Sequence, residues 1–63
     1  MVKINEMHDG FEVSVATYKE IFASKFKAIM AAHAVAMTRA IETGQAVEIV
    51  FPKDWGDPVV VYP

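Results

Sequence analysis

The 63-residue chain has no cysteine and no leucine, and only three glycines and three prolines. Without thiols, neither disulfides nor a cysteine-ligated metal can staple the fold. Three widely separated glycines leave no glycine-rich cradle for phosphate. Charge is nearly balanced, six Lys and Arg against eight Asp and Glu, for a formal −2. That balance argues against a dominant attraction to nucleic acid or anionic lipid. The charge-free stretch from Ala28 to Met37 is far shorter than the ~20 apolar residues of a bilayer span, so no membrane role is expected. The first residues lack a basic-then-apolar leader pattern, which makes a cytoplasmic location the expectation.

What the chain does have is apolar surface, 54% of its residues, although nine of these are alanines with little area each. A single small domain over residues 1–63 with a thin core follows, and self-association is the device left to such a chain. Val2-Lys3-Ile4-Asn5-Glu6-Met7 and Phe11-Glu12-Val13-Ser14-Val15 alternate across His8-Asp9-Gly10, the pattern of a β-hairpin. After Val15 the apolar period lengthens from 2 to 3.6, through Tyr18, Ile21, Phe22, Phe26, Ile29, Met30, Met37, Ala40 and Ile41. Thr17-Tyr18-Lys19-Glu20 has the form of a capping box, and Gly44 that of a left-handed C-cap. These signals predict a helix over about 18–43, with Ser24 as a second possible start. Val47, Ile49 and Phe51 then share one face of a strand. Pro52-Lys53-Asp54-Trp55-Gly56-Asp57-Pro58 is turn-rich, and Val59-Val60-Val61-Tyr62 has the composition of a last strand. The expected fold is α+β: one ββαββ domain, a mainly antiparallel four-stranded sheet with one long helix packed across a face.

The large apolar stripe of that helix is expected to meet the sheet. A second stripe, Ala28, Ala32, Val35 and Arg39, then faces away from it, and a helix apolar on two sides is usually buried on both. These four residues are the expected interface, most simply of a two-fold homodimer.

Phe22-Ala23-Ser24-Lys25-Phe26-Lys27-Ala28-Ile29-Met30-Ala31-Ala32, preceded by Asp9-Gly10-Phe11-Glu12-Val13 and followed by a glycine-bearing turn into a strand, resembles the small DUF2188 proteins over about two thirds of the chain. In that family a Gly-aromatic-x-Val strand leads to a helix opening on Phe-x-Thr/Ser. This chain lacks the family's basic, glycine-rich middle and has Phe11 where tryptophan is usual. The resemblance implies the fold and a helix start near Ser24, and implies no activity.

Little in the chain offers chemistry. His8 lies in a turn. His33 falls within the apolar stripe and reads as a core or interface residue, with a pH-sensitive contact as its functional reading. Neither histidine has ligand spacing to another. Asp54 and Asp57 flank Trp55 and read as turn formers. Trp55 is expected either to fold back over the sheet or, with Asp54 and Asp57, to meet a partner. Ser14 and Ser24 occupy no nucleophile elbow. No catalytic, metal or cofactor site is expected. Lys19, Lys25 and Lys27 gather near the predicted helix start without aromatic interleaving, so nucleic-acid binding ranks last. Glu6, Asp9, Glu12, Asp54 and Asp57 are candidates for an acidic surface that docks on the basic groove of a nucleic-acid-handling protein. The leading expectation is a small, non-catalytic protein–protein interaction module that forms a homodimer, with the acidic inhibitor as its alternative.

Overall fold

The computed structural model describes residues 1–16 and 18–63. The chain forms β1 (Val2–Met7), β2 (Gly10–Val15), β3 (Tyr18–Phe22), α1 (Lys25–Thr43), β4 (Val47–Val50) and β5 (Val59–Val61), with a 3-10 turn at Lys53–Trp55 before the last strand. The strands make one five-stranded sheet in the order β3-β2-β1-β4-β5. Three neighbour pairs are antiparallel, whereas β1 and β4 run parallel through Val2↔Ile49 and Lys3↔Val50. The protein is thus α+β with one long helix, and the sheet is mixed rather than four-stranded and mainly antiparallel.

The additional strand comes from residues expected to open the helix. Tyr18, Ile21 and Phe22 suit either period, and their aromatic and β-branched character favours a strand wherever a partner is at hand. β2 supplies that partner, with Phe11↔Phe22, Val13↔Glu20 and Val15↔Tyr18 in register. The capping box centred on Thr17 falls outside the described residues, and its other member, Glu20, lies in β3. The helix starts instead at Ser24, whose hydroxyl accepts from the Lys27 amide at 3.3 Å while its carbonyl accepts from the Ala28 amide at 3.0 Å. It ends on Gly44 at φ 69°, whose N–H donates to the Ala40 carbonyl at 2.8 Å, the left-handed cap that glycine adopts without steric cost. The first turn carries no acid and the last turn no base. Lys25 and Lys27 therefore oppose the helix dipole, and the Ser24 cap and tertiary contacts hold that end.

The inner face of the sheet presents Val2, Ile4, Val13, Val15, Val47, Ile49 and Val61, all buried. Facing them is a ridge of alanines, Ala28, Ala32, Ala36 and Ala40, each 0% exposed. Their four-residue spacing places them in one row along the helix. This inverts the expected orientation of α1. Ala28 and Ala32, read as interface residues, are the core, whereas Phe26, Met30, Met37 and Ile41 point outward. The reason is volume: Val and Ile side chains already fill the space above the sheet, and only a row of methyl groups lets the helix approach closely enough to cover them. Phe11, Phe22, Ile29, Val35, Phe51 and Trp55 seal the periphery of this core.

Gly10 opens β2 at the narrowest point of the three-stranded meander. A Cβ there would lie 2.6 Å from the Phe22 carbonyl oxygen and 2.9 Å from Ile21 Cγ2, closer than real contacts allow. Gly10→Ala should therefore force β2 and β3 apart and lower stability, by about 1–3 kcal/mol. Ala36→Leu should cost a similar ~1–3 kcal/mol by overpacking the helix–sheet seam. Urea denaturation of both variants tests the two claims, and a parent-like midpoint for Ala36→Leu would contradict the close approach of α1 to the sheet.

Candidate functional site

The helix that covers the sheet leaves two adjoining features on the surface. The first is its outward face. Phe26, Met30, Met37 and Ile41 are 70%, 56%, 44% and 68% exposed, and His33 and Ala34, also exposed, lie between them. At about 100° per residue these six side chains span roughly 100° of the helix circumference. The second feature is a shallow groove of about 350 Å³ between α1 and the β2–β3 side of the sheet, lined by Val15, Tyr18, Ala34, Val35, Thr38 and Arg39. The two are continuous, because Ala34 belongs to both.

Two of the polar side chains that line the groove, Thr38 and Tyr18, are occupied by hydrogen bonds. The Thr38 hydroxyl donates to the Ala34 carbonyl at 3.0 Å. The Tyr18 hydroxyl donates to the Glu20 carboxylate, two residues along β3 and on the same side of it. That hydrogen bond, followed by burial and by the Glu20 charge, raises the phenol pKa above its usual value.

The expected interface set is thereby divided. Ala28 and Ala32 lie in the core, while Val35, half-buried, and Arg39, exposed, line the groove. His33 is exposed on the outward face, so its reading as a core residue is overturned along with the helix orientation. Trp55 folds back, the first of its two expected readings. Its ring packs at 5.7 Å from Phe11 and 6.3 Å from Phe51, with Lys25 Nζ 4.3 Å from its centroid. This cation–π contact draws the Lys25 ammonium toward the indole. Asp54 and Asp57 remain exposed beside it.

The other charged candidates are dispersed. Lys19 pairs with Ser14 within the sheet, away from Lys25 and Lys27 on the helix. Glu12 accepts from Asn5 Nδ2 at 3.2 Å on the helix-free face, whereas Glu6 sits opposite Phe11 and thus on the other face. Among the described residues no three His, Asp or Glu side chains are grouped so as to hold a metal ion, and no helix is long and apolar enough to cross a membrane.

Sequence reasoning missed Phe26, Met30, Met37 and Ile41 as surface residues because it gave the larger side chains to the core. The signal that would have found them is the strict four-residue spacing of Ala28, Ala32, Ala36 and Ala40 opposite strands made of valine and isoleucine. No family model, curated protein or solved structure matches the chain.

The Tyr18–Glu20 contact has a measurable consequence. Folding stabilisation from this contact should be complete below the ordinary phenol pKa near 10 and disappear as pH rises through the higher folded value. In ultraviolet titration of the folded protein, one tyrosine should ionise above the usual range, and Glu20→Gln should lower its midpoint. Superimposable titrations of the two proteins would show that Glu20 does not hold the phenol.

Proposed function

We propose that this chain is a small, non-catalytic protein–protein interaction module that docks through the outward face of α1. The observation that carries this reading is the exposure of Phe26, Met30, Met37 and Ile41 along one side of the helix. Isolated exposed apolar residues are ordinary on any protein, but four large ones in register on a single helix face are the form of a helix-packing surface. A partner that covered them would gain about 1–2 kcal/mol for each side chain, since roughly half of each still meets water. The charge pattern adds support. The stripe contains no acidic or permanently basic residue, so docking on it is apolar rather than electrostatic and should respond little to salt. The acids of the alternative, an inhibitor placed on a basic groove, are spread over both faces of the sheet, and no feature of their arrangement favours that reading.

The test is a double substitution of exposed positions, Met30→Glu with Met37→Glu. Because neither side chain contributes to the buried core, the variant should keep the parent's circular dichroism spectrum and melt within about 1 kcal/mol of it. It should lose the chemical cross-links that the parent forms, whether with itself or with proteins of its native cell. A folded variant that keeps every cross-link of the parent would refute docking through this face.

A further inference from the structure

We propose that Met30 and Met37 are a reversible modification site, at which a hydroperoxide converts both thioethers to sulfoxides. Oxidation withdraws the outward face of α1 from docking and leaves the fold intact. The inference rests on the docking reading above and adds its regulation.

The argument begins with where the sulfur is. The chain has no cysteine, so thioethers are its targets for mild peroxides. None of them is in the core. Met1, Met7, Met30 and Met37 are 69%, 42%, 56% and 44% exposed, and the buried hydrophobic residues are all alanine, valine and isoleucine. A peroxide therefore reaches every sulfur without opening the fold, and no oxidised side chain has to be accommodated inside it.

Two of the four methionines occupy the centre of the stripe. Met30 and Met37 are two helical turns apart, about 10 Å along α1 and within about 20° of the same direction. Phe26 and Ile41 flank them on either side. Met7 ends β1 and Met1 precedes it, so neither belongs to the stripe. Leucine, absent from the whole sequence, matches methionine closely in helix propensity and volume. What methionine adds is an unbranched, adaptable chain and an oxidisable atom. The first suits a docking surface, and the second makes the apolarity of that surface removable.

In the reaction a sulfur lone pair attacks one oxygen of hydrogen peroxide. The S–O bond forms, the O–O bond breaks, and the proton of the transferred oxygen passes to the departing hydroxide to give water. Sulfur loses two electrons and the peroxide gains them. The new sulfoxide oxygen is a polar acceptor. In solvent it is hydrated, whereas beneath an apolar partner it loses water and gains no donor. His33 is the one polar side chain between the two methionines, and a neutral imidazole offers a single N–H for two sulfoxides. Methionine sulfoxide reductases reverse the change, one enzyme for each sulfoxide epimer. Two thiols then become a disulfide, and the sulfoxide oxygen leaves as water.

The modification and its effect are tested in turn. After dilute hydrogen peroxide, site-resolved mass spectrometry should find one added oxygen at Met30 and one at Met37, at rates within about threefold of Met1. The circular dichroism spectrum and urea midpoint should stay those of the parent. Protection of either methionine by about tenfold or more, or a fold that opens on oxidation, would overturn the site. On a phenyl column the oxidised parent should elute earlier than the reduced one. The Met30→Leu, Met37→Leu variant, which still oxidises at Met1 and Met7, should shift much less, and an equal shift would place the change elsewhere and overturn the proposal. The parent's cross-links should fall about tenfold or more on oxidation and return on treatment with both reductases, and those of the Leu variant should survive peroxide. If the oxidised parent keeps links that the Met30→Glu, Met37→Glu variant loses, regulation has failed and the docking face stands. If the Glu variant keeps them too, the docking face itself has failed, and its regulation with it.

Discussion

The close approach of an alanine ridge to a sheet of valine and isoleucine organises this molecule. A helix normally contributes its large side chains to a core, and a sheet contributes β-branched ones. Here the sheet supplies nearly all the bulk, and α1 supplies methyl groups that cost little side-chain entropy to bury. Because the inner row consists of Ala28, Ala32, Ala36 and Ala40, the large residues of the same helix have nowhere to go but outward. The packing of the core and the apolarity of the surface are thus one decision seen from two sides. A 63-residue chain that seals its core with alanine exports its remaining hydrophobicity to whatever lies beyond the helix.

The same constraint explains the placement of the strands. β3 leaves the meander at one edge of the sheet, and the helix carries the chain back past β2 and β1 so that β4 can pair beside β1. That return makes β4 parallel to β1, while the turn through Lys53–Trp55 brings β5 back antiparallel at the other edge. The helix lies over the middle of the sheet, and the shallow groove opens along the β2–β3 side. Trp55 does on one flank what the alanines do in the middle. Packed on Phe11 and Phe51 and touched by Lys25, it ties the start of the helix to the turn between β4 and β5. The unfavourable position of a lysine in the first helical turn is offset by the ring beneath it.

Much of this was legible in the sequence, and the failures have physical causes. The first hairpin, the C-cap at Gly44, the last two strands and the fold-back of Trp55 all rest on local chemistry, and the structure contains them. The start of the helix was ambiguous because Tyr18, Ile21 and Phe22 satisfy both periods. Pairing with β2, a tertiary interaction, made them a strand. The parallel β1–β4 pair was invisible for a related reason, since strand order depends on where a helix puts the chain and not on local pattern. The orientation of α1 was misread because periodicity reports that a helix has distinct faces without reporting which face fits. Bulk on the partner surface decides that, and the sheet was already full. Ala28 and Ala32 were misplaced by this one step, as was His33 where it was read as core.

The alanine ridge also divides the helix by what substitution can do to it. On the inner row the only smaller residue is glycine, which weakens the helix, and every larger one collides with the sheet. Those positions have almost no room to drift. On the outer row a change of side chain disturbs neither the cap at Ser24 nor the seam below, so Phe26, Met30, Met37 and Ile41 can be exchanged for residues of other sizes and polarities while the same fold persists. If the outer row is the docking face proposed above, recognition and folding are written on opposite sides of one element. The preference for a partner can be rewritten over successive generations without passing through a form that fails to fold.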